Sequence, residues 1–282
     1  MRRFLAVLLV GALALAGAAC GGDDDSPAAD TGTAASTAAD LGLKTPGVLT
    51  VASDVPYAPF EFTDPGSTEV KGFDVDLVKA IAATQGITDV QFVDQSFETI
   101  ILSVRQGRFD MSASSWTITP ERAKQADFGD PYFSANQAFL VPKDSTVAKL
   151  DDLTGKTVGG QRGTVGVDLA RTIPGAEVLT YDTTDDAFNA VAQGRLDAAV
   201  TDFPVVAYAA AQKPTLKVAF EQPGNLALGL MFPKDNPVLR DAFNEGLAEV
   251  RADGTYDTIY TTWFGDAPVS SLPSGTETTT TQ

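Results

Sequence analysis

Two short apolar runs in this chain end in polar groups that could hold a small solute. Ser112, Ala113, Ser114 and Ser115 close one run, and Thr201 and Asp202 close the other. Hydroxyls, exposed backbone and a carboxylate suit a polar guest, and an open α/β sheet binds its guests in the crevice beyond the carboxyl ends of its strands. Near copies of one pentapeptide introduce both runs: Gln106-Gly107-Arg108-Phe109-Asp110 returns as Gln193-Gly194-Arg195-Leu196-Asp197, each after a helix-like stretch. Two such ends predict two similar lobes facing one cleft, although a plain helix-to-strand connector would give the same letters. Downstream of Gly159, Gly160 and Gly163, Thr164 falls at a predicted helix N-terminus, whose free backbone N–H groups accept a carboxylate.

Other chemistries lack their parts. The chain has no histidine, which removes Ser-His and Cys-His nucleophile pairs and imidazole metal ligands together. No catalytic residue, metal or cofactor is expected. Gly155-Lys156-Thr157 ends like a phosphate-binding loop, but Leu150 stands where the first glycine of that motif belongs and a strand follows it.

The elements that must position these groups alternate in type. Val48 to Ala52 predicts a strand ending at Ser53 and Asp54, and Phe73, Val75, Leu77, Val78 and Ile81 recur at helical spacing over Phe73 to Ala83. A strand Val90 to Val93, a helix Phe97 to Val104 and a strand Phe109 to Ser112 follow. The second half predicts strands at Thr157 to Gly160, Val178 to Tyr181, Ala198 to Thr201 and Leu216 to Phe220, separated by helices, and two closing helices at Val238 to Val250 and Tyr256 to Phe264. This is the βαβ rhythm of parallel sheets.

The ends read differently. Residues 1–19 carry Arg2 and Arg3, an apolar run from Phe4 to Leu15 and small residues before Cys20, which is the pattern of an export signal too short to span a membrane. Cys20 is the only cysteine, so no internal disulfide is possible. Residues 20–44 read as a disordered tether, and 268–282 as a disordered tail of Ser, Thr and Gly. A net charge of −17, made more negative once the leader's arginines are removed, repels nucleic acid and anionic lipid headgroups.

Five segments carry a resemblance. They are Ser53-Asp54-Val55-Pro56-Tyr57-Ala58-Pro59-Phe60-Glu61-Phe62, Gly72-Phe73-Asp74-Val75-Asp76-Leu77, Thr117-Ile118-Thr119-Pro120-Glu121-Arg122 with Pro131-Tyr132-Phe133, Asp253-Gly254-Thr255-Tyr256-Asp257, and Trp263-Phe264-Gly265. In this order they resemble the extracellular solute-binding proteins of polar amino-acid ABC importers. The resemblance implies a two-lobed periplasmic-binding-protein-like α/β fold of type II. Lobe one would comprise 45–133 and 229–267, lobe two 134–228, with hinge crossovers near Tyr132 to Asn136 and Asn225 to Leu228.

The same resemblance implies the site. Arg122 would hold the α-carboxylate of a free amino acid and Asp202 its ammonium; Asp202 ahead of Pro204 could also serve as a helix N-cap, and both roles could hold at once. Ser114, Ser115 and Thr117 would add backbone and hydroxyl hydrogen bonds, with Thr164 opposite. Tyr57 and Phe97 would stack on the ligand side chain with Asp54 at its far end, which ranks arginine, lysine and ornithine first and glutamine next. Val165 and Gln161 depart from the family's usual residues and blur that ranking. Trp116 is assigned to packing behind the site. Cys20 matches a lipobox cysteine despite Gly17 three residues before it, so the resemblance implies a lipid-anchored, extracytoplasmic, monomeric protein that serves a membrane permease. The alternatives are a dehydratase-like enzyme on the same scaffold, using a cleft carboxylate, and an extracellular amino-acid sensor.

Overall fold

The computed structural model describes residues 41–265; the leader, Cys20, residues 21–40 of the tether and the tail lie outside the described residues. The end of the expected tether belongs to the folded body instead, because Leu41 is fully buried in the core and the Lys44 N–H donates to Asp110 at 2.8 Å. Lobe one opens with β1 (Val48–Ser53), a small hairpin of β2 (Phe62–Thr63) and β3 (Val70–Lys71), α1 (Phe73–Thr84), β4 (Asp89–Asp94), α2 (Phe97–Arg105), β5 (Met111–Ser112), the one-turn α3 (Pro120–Ala123) and β6 (Asp127–Phe128). Lobe two follows with β7 (Phe133–Pro142), β8 (Thr157–Gln161), α4 (Val165–Arg171), β9 (Glu177–Tyr181), α5 (Thr184–Ala192), β10 (Ala198–Asp202), α6 (Phe203–Gln212) and β11 (Leu216–Leu228). The chain returns to lobe one for β12 (Met231–Phe232), α7 (Pro237–Ala252) and α8 (Thr255–Phe264).

Each lobe is built on a five-stranded sheet, in the order β4-β1-β5-β12-β6 and β11-β7-β10-β8-β9. The pairs β4-β1-β5 and β10-β8-β9 are parallel, joined by helices as the alternation predicts. The strands that carry the chain between lobes break that pattern. β7 runs antiparallel to β10, and β12 antiparallel to β5 and β6. The two crossovers are themselves paired strands: Phe133, Ser134 and Ala135 of β7 register with Leu228, Ala227 and Leu226 of β11. A double-stranded ribbon therefore joins the lobes, stiff along its length and able to bend at the irregular register between Gln222 and Leu226.

The repeated pentapeptide does the same work in both lobes. Gln106 and Gln193 end α2 and α5, and Gly107 and Gly194 take left-handed backbone (φ 66° and 71°) to turn the chain back toward the sheet. Asp110 then accepts the backbone N–H of Thr50 at 2.8 Å, and Asp197 that of Thr157 at 2.9 Å, so each carboxylate stitches the incoming strand to its parallel neighbour. The strand that follows is aimed at the cleft in both cases.

A buried aromatic cluster holds lobe one beneath the hinge. Phe60 meets Phe73 and Phe133 edge-on at 6.0 and 5.2 Å, while Tyr260 and Phe264 close the cluster from α8. The close approach that lets Phe60 sit there depends on Gly72, at φ 140°, where an added Cβ would lie 2.0 Å from the Phe60 carbonyl oxygen. Gly72→Ala is expected to destabilise the protein by more than about 2 kcal/mol, lowering Tm by at least roughly 5 °C in calorimetry. An unchanged Tm would contradict this packing.

Candidate ligand-binding cleft

Lobe one supplies the floor of the cleft from the ends of its central strands. Asp54 follows β1, and its N–H is accepted by Ser114 Oγ at 3.0 Å. Ser115, just past β5, is held at φ 46° with its N–H donated to the buried Asp74 carboxylate at 3.0 Å. Left-handed backbone at a residue with a side chain costs on the order of 1 kcal/mol and needs such a tether. Thr119 then caps α3, with Pro120 at its first position. This turn carries Arg122 to the cleft wall.

The Arg122 guanidinium is fixed from several sides. Nη1 donates to the Thr117 carbonyl at 2.8 Å, and its carbon lies 4.9 Å from the Trp116 ring centre and 5.4 Å from that of Phe97. Those rings stack on each other at 4.2 Å, so Trp116 packs behind Phe97 and supports the cation with it. Burial lowers the Arg122 pKa to about 10, while Asp202 works the other way. It remains a cation at neutral pH. Nη2 reaches across to the Gly163 carbonyl of lobe two at 3.1 Å.

Lobe two supplies the opposing wall. β10 ends in Thr201 and Asp202, both buried. Asp202 occupies the N-cap position of α6 but makes no capping bond, so its helix-cap alternative is corrected by the geometry. Its Oδ1 accepts from Gln137 Nε2 at 2.5 Å and its Oδ2 from the Tyr57 hydroxyl of lobe one at 2.7 Å. Burial raises its pKa, opposed by those two hydrogen bonds and by Arg122. Tyr57 also contacts Thr201 Oγ1 at 2.7 Å. Thr164 caps α4, and its hydroxyl donates to the Gln161 carbonyl at 2.7 Å.

At another part of the cleft, Gln161 Nε2 donates to Asp54 Oδ2 at 2.6 Å and to the Asp182 carbonyl at 2.9 Å, while its oxygen accepts from Thr184 at 3.0 Å. Gln161 is thereby locked in one orientation. Burial first, and the neighbouring Asp94 charge second among the raising effects, push Asp54 up to about 6 against the Gln161 bond. Contacts through Tyr57, Gln161 and Arg122 all bridge the lobes, so this is a closed arrangement.

All nine residues singled out from the sequence line one narrow pocket between the lobes: Asp54, Tyr57, Phe97, Ser114, Ser115, Thr117, Arg122, Thr164 and Asp202. Their hydroxyls are not equally free, which corrects one expectation. The Ser114 hydroxyl is engaged by the Asp54 N–H and donates to Glu61 Oε1 at 3.0 Å, so it braces lobe one and leaves no donor for a guest. The Ser115 hydroxyl has no hydrogen-bond partner among the described residues, although it lies near the Tyr132 hydroxyl. Gln137, Gln161, Val165 and Thr201 complete the lining. Gln137 was missed because β7 was not anticipated; the signal was a polar pair, Asn136-Gln137, interrupting an otherwise apolar run.

Among the described residues no helix is long and apolar enough to cross a membrane. The family model for bacterial extracellular solute-binding proteins, family 3, matches residues 49–266. The chain belongs to this family. It is 34% identical over 214 residues to the ABC transporter arginine-binding protein 1 of Escherichia coli, covering 74% of this chain and 87% of that protein. Among solved structures it is similar to an ancestral arginine-binding protein bound to arginine, at 38% identity and TM-score 0.74 over 78% of this chain and 99% of that one. A second, an ancestral amino-acid-binding protein described as a precursor of cyclohexadienyl dehydratase, has 39% identity and TM-score 0.71, covering 77% of this chain and 95% of the other. The family's two-lobed fold is the one described above.

Proposed function

We propose that this chain is the substrate-binding component of an ABC importer and that it closes on a free basic amino acid, arginine before lysine or ornithine, with glutamine next. One observation carries this reading: a guanidinium from lobe one and a carboxylate from lobe two, Arg122 and Asp202, line the same closed cavity. A zwitterion needs both charges at once, the fork of Arg122 for its carboxylate and Asp202 for its ammonium. Since the two groups belong to different lobes, a ligand that touches both favours the closed form through differential contacts. Phe97 and Tyr57 offer aromatic surface to the side chain, and Asp54 an anion for a distal cation. The arginine-binding relative and arginine-bound neighbour support arginine as the first candidate.

The remaining assignments extend the same reading. The apolar leader directs export, Cys20 carries a lipid anchor, residues 21–40 tether a monomeric binding protein outside the cytoplasm, and a membrane permease receives the cargo. A thermal-shift screen over the amino acids tests the ligand class. Arginine at 100 times Kd is expected to stabilise by about 2.7 kcal/mol, a shift of roughly 5–10 °C. Stabilisation by sugars or metal ions alone would overturn the reading.

Asp54 adds a pH signature. With its pKa at about 6, it is neutral below that pH and charged above it, and a cationic side chain prefers the charged form. Arginine affinity therefore falls as pH drops below about 6, by up to tenfold per unit for one linked proton, while glutamine affinity does not follow. Calorimetric titrations of both ligands between pH 5 and 7 check this, and parallel curves would contradict the role of Asp54. A carboxyl poised near neutrality would also suit a general acid in an enzyme on this scaffold, a reading supported by the dehydratase-precursor neighbour. Recovery of unaltered ligand after prolonged incubation separates binding from turnover.

A further inference from the structure

Behind the cleft lie two carboxyls that the binding scheme leaves unused. Glu61, on the loop leading into β2, and Asp74, in the first turn of α1, are both fully buried. Glu61 Oε1 accepts from the Ser114 hydroxyl at 3.0 Å, and Asp74 Oδ2 accepts from the Ser115 N–H at 3.0 Å and the Tyr132 hydroxyl at 2.7 Å. Their other oxygens, Glu61 Oε2 and Asp74 Oδ1, meet no donor in the protein. The two carboxyls are bonded to adjacent residues, Ser114 and Ser115, and lie close enough for each to feel the other's charge; two such carboxyls bond to each other only with a proton between them. The charged and titratable groups acting on the pair are Asp54, Asp202, Tyr57 and Tyr132, none of them a cation. A doubly ionised pair would have no cation among these groups to offset it.

We propose that Glu61 and Asp74 share one proton, and that this acid–carboxylate pair is the positioning device that holds Ser114 and the left-handed Ser115 beneath the bound amino acid. Asp74 already accepts two hydrogen bonds and is the carboxylate; Glu61 accepts one and carries the proton, donating Oε2–H to Asp74 Oδ1. Burial and the like charge of its neighbour push Glu61 well above the usual carboxylate range and Asp74 up to about 6, in keeping with one proton retained at neutral pH. The sign follows. Raised acids contribute stability at low pH that is lost as pH rises through the folded-state values, so ligand affinity and thermal stability both fall on the alkaline side when the shared proton leaves. The affinity arm rests on the amino-acid reading above, whereas the protonation arm does not.

Glu61→Gln replaces the shared proton by an amide N–H and still accepts from Ser114. It is expected to keep affinity for arginine within about threefold of wild type and to abolish the alkaline fall, whereas Glu61→Ala loses at least about tenfold and lowers Tm. The decisive readout is the infrared spectrum of wild-type protein carrying carbon-13 in its glutamate carboxyls. Glu61 is the one buried glutamate among the described residues, and a protonated-acid C=O band that shifts with the label at neutral pH is predicted. Absence of that band overturns the proposal whatever the ligand proves to be, and so do identical pH profiles for wild type and Glu61→Gln.

Discussion

Arg122→Ala is expected to weaken arginine binding by at least about 100-fold, the scale set by the roughly 2–5 kcal/mol lost when one partner of a desolvated charge pair is removed. The guanidinium is the one group in the cleft with two parallel donors for a planar anion, and its position is already fixed by the Thr117 carbonyl and the stacked rings of Trp116 and Phe97. Little ordering therefore remains to oppose binding. Arg122→Lys keeps the charge without the fork and recovers only part of the loss. Because Nη2 also reaches Gly163 across the cleft, the alanine variant populates more open forms in small-angle scattering, even at saturating ligand. Affinity within about threefold of wild type would remove Arg122 from the site.

Asp202→Asn separates two roles by moving stability and affinity in opposite directions. Burial raises the Asp202 pKa, so the ionised carboxylate is destabilising in the unliganded protein at neutral pH, and replacing it with a neutral isostere holds or raises Tm. Affinity for a zwitterion nevertheless falls by about 100-fold, since the ammonium loses its only buried counter-charge from lobe two. Were Asp202 merely a helix cap, Asn would be as good a cap and neither quantity would move, while Ala would cost about 0.5–2 kcal/mol in stability. Paired calorimetric and melting measurements on the Asn and Ala variants distinguish the cases.

Periodicity located most elements of this fold because their apolar positions repeat cleanly. β1, α1, α2, β9, β10, α7 and α8 lie within a few residues of where the pattern puts them. β7 escaped because its polar Asn136 and Gln137 interrupt the run, and they are polar for a reason that only the tertiary structure reveals: Gln137 faces Asp202, and Asn136 bonds Glu221 of β11. β11 was read as ending at Phe220 because Pro223, Gly224 and Asn225 look like a loop, yet the strand resumes beyond the irregular register and completes the hinge. The nine site residues were legible chiefly through motif order, which carries no information about their mutual distances. The buried Glu61–Asp74 pair was visible only as letters within two of those motifs, since nothing local tells that carboxyls 13 positions apart in sequence are brought against the adjacent Ser114 and Ser115.

The closed form draws on both lobes unequally. Its direct bridges are short hydrogen bonds in the interior, through Tyr57 and Gln161, the Arg122–Gly163 bond at 3.1 Å, and an exposed Arg162–Glu98 contact at 3.7 Å on the rim that contributes little in water. Closure is therefore governed from inside the cleft, where a ligand's charges would join the same network.

The most direct test of the charged clamp is calorimetric titration with L-arginine, agmatine and Nα-acetyl-L-arginine, which share a side-chain guanidinium and differ only in the head group. Tight binding of arginine alone is predicted, with both analogues weakened by at least about 100-fold because each leaves Arg122 or Asp202 without its partner. Equal binding of agmatine or of the acetylated ligand would contradict the account.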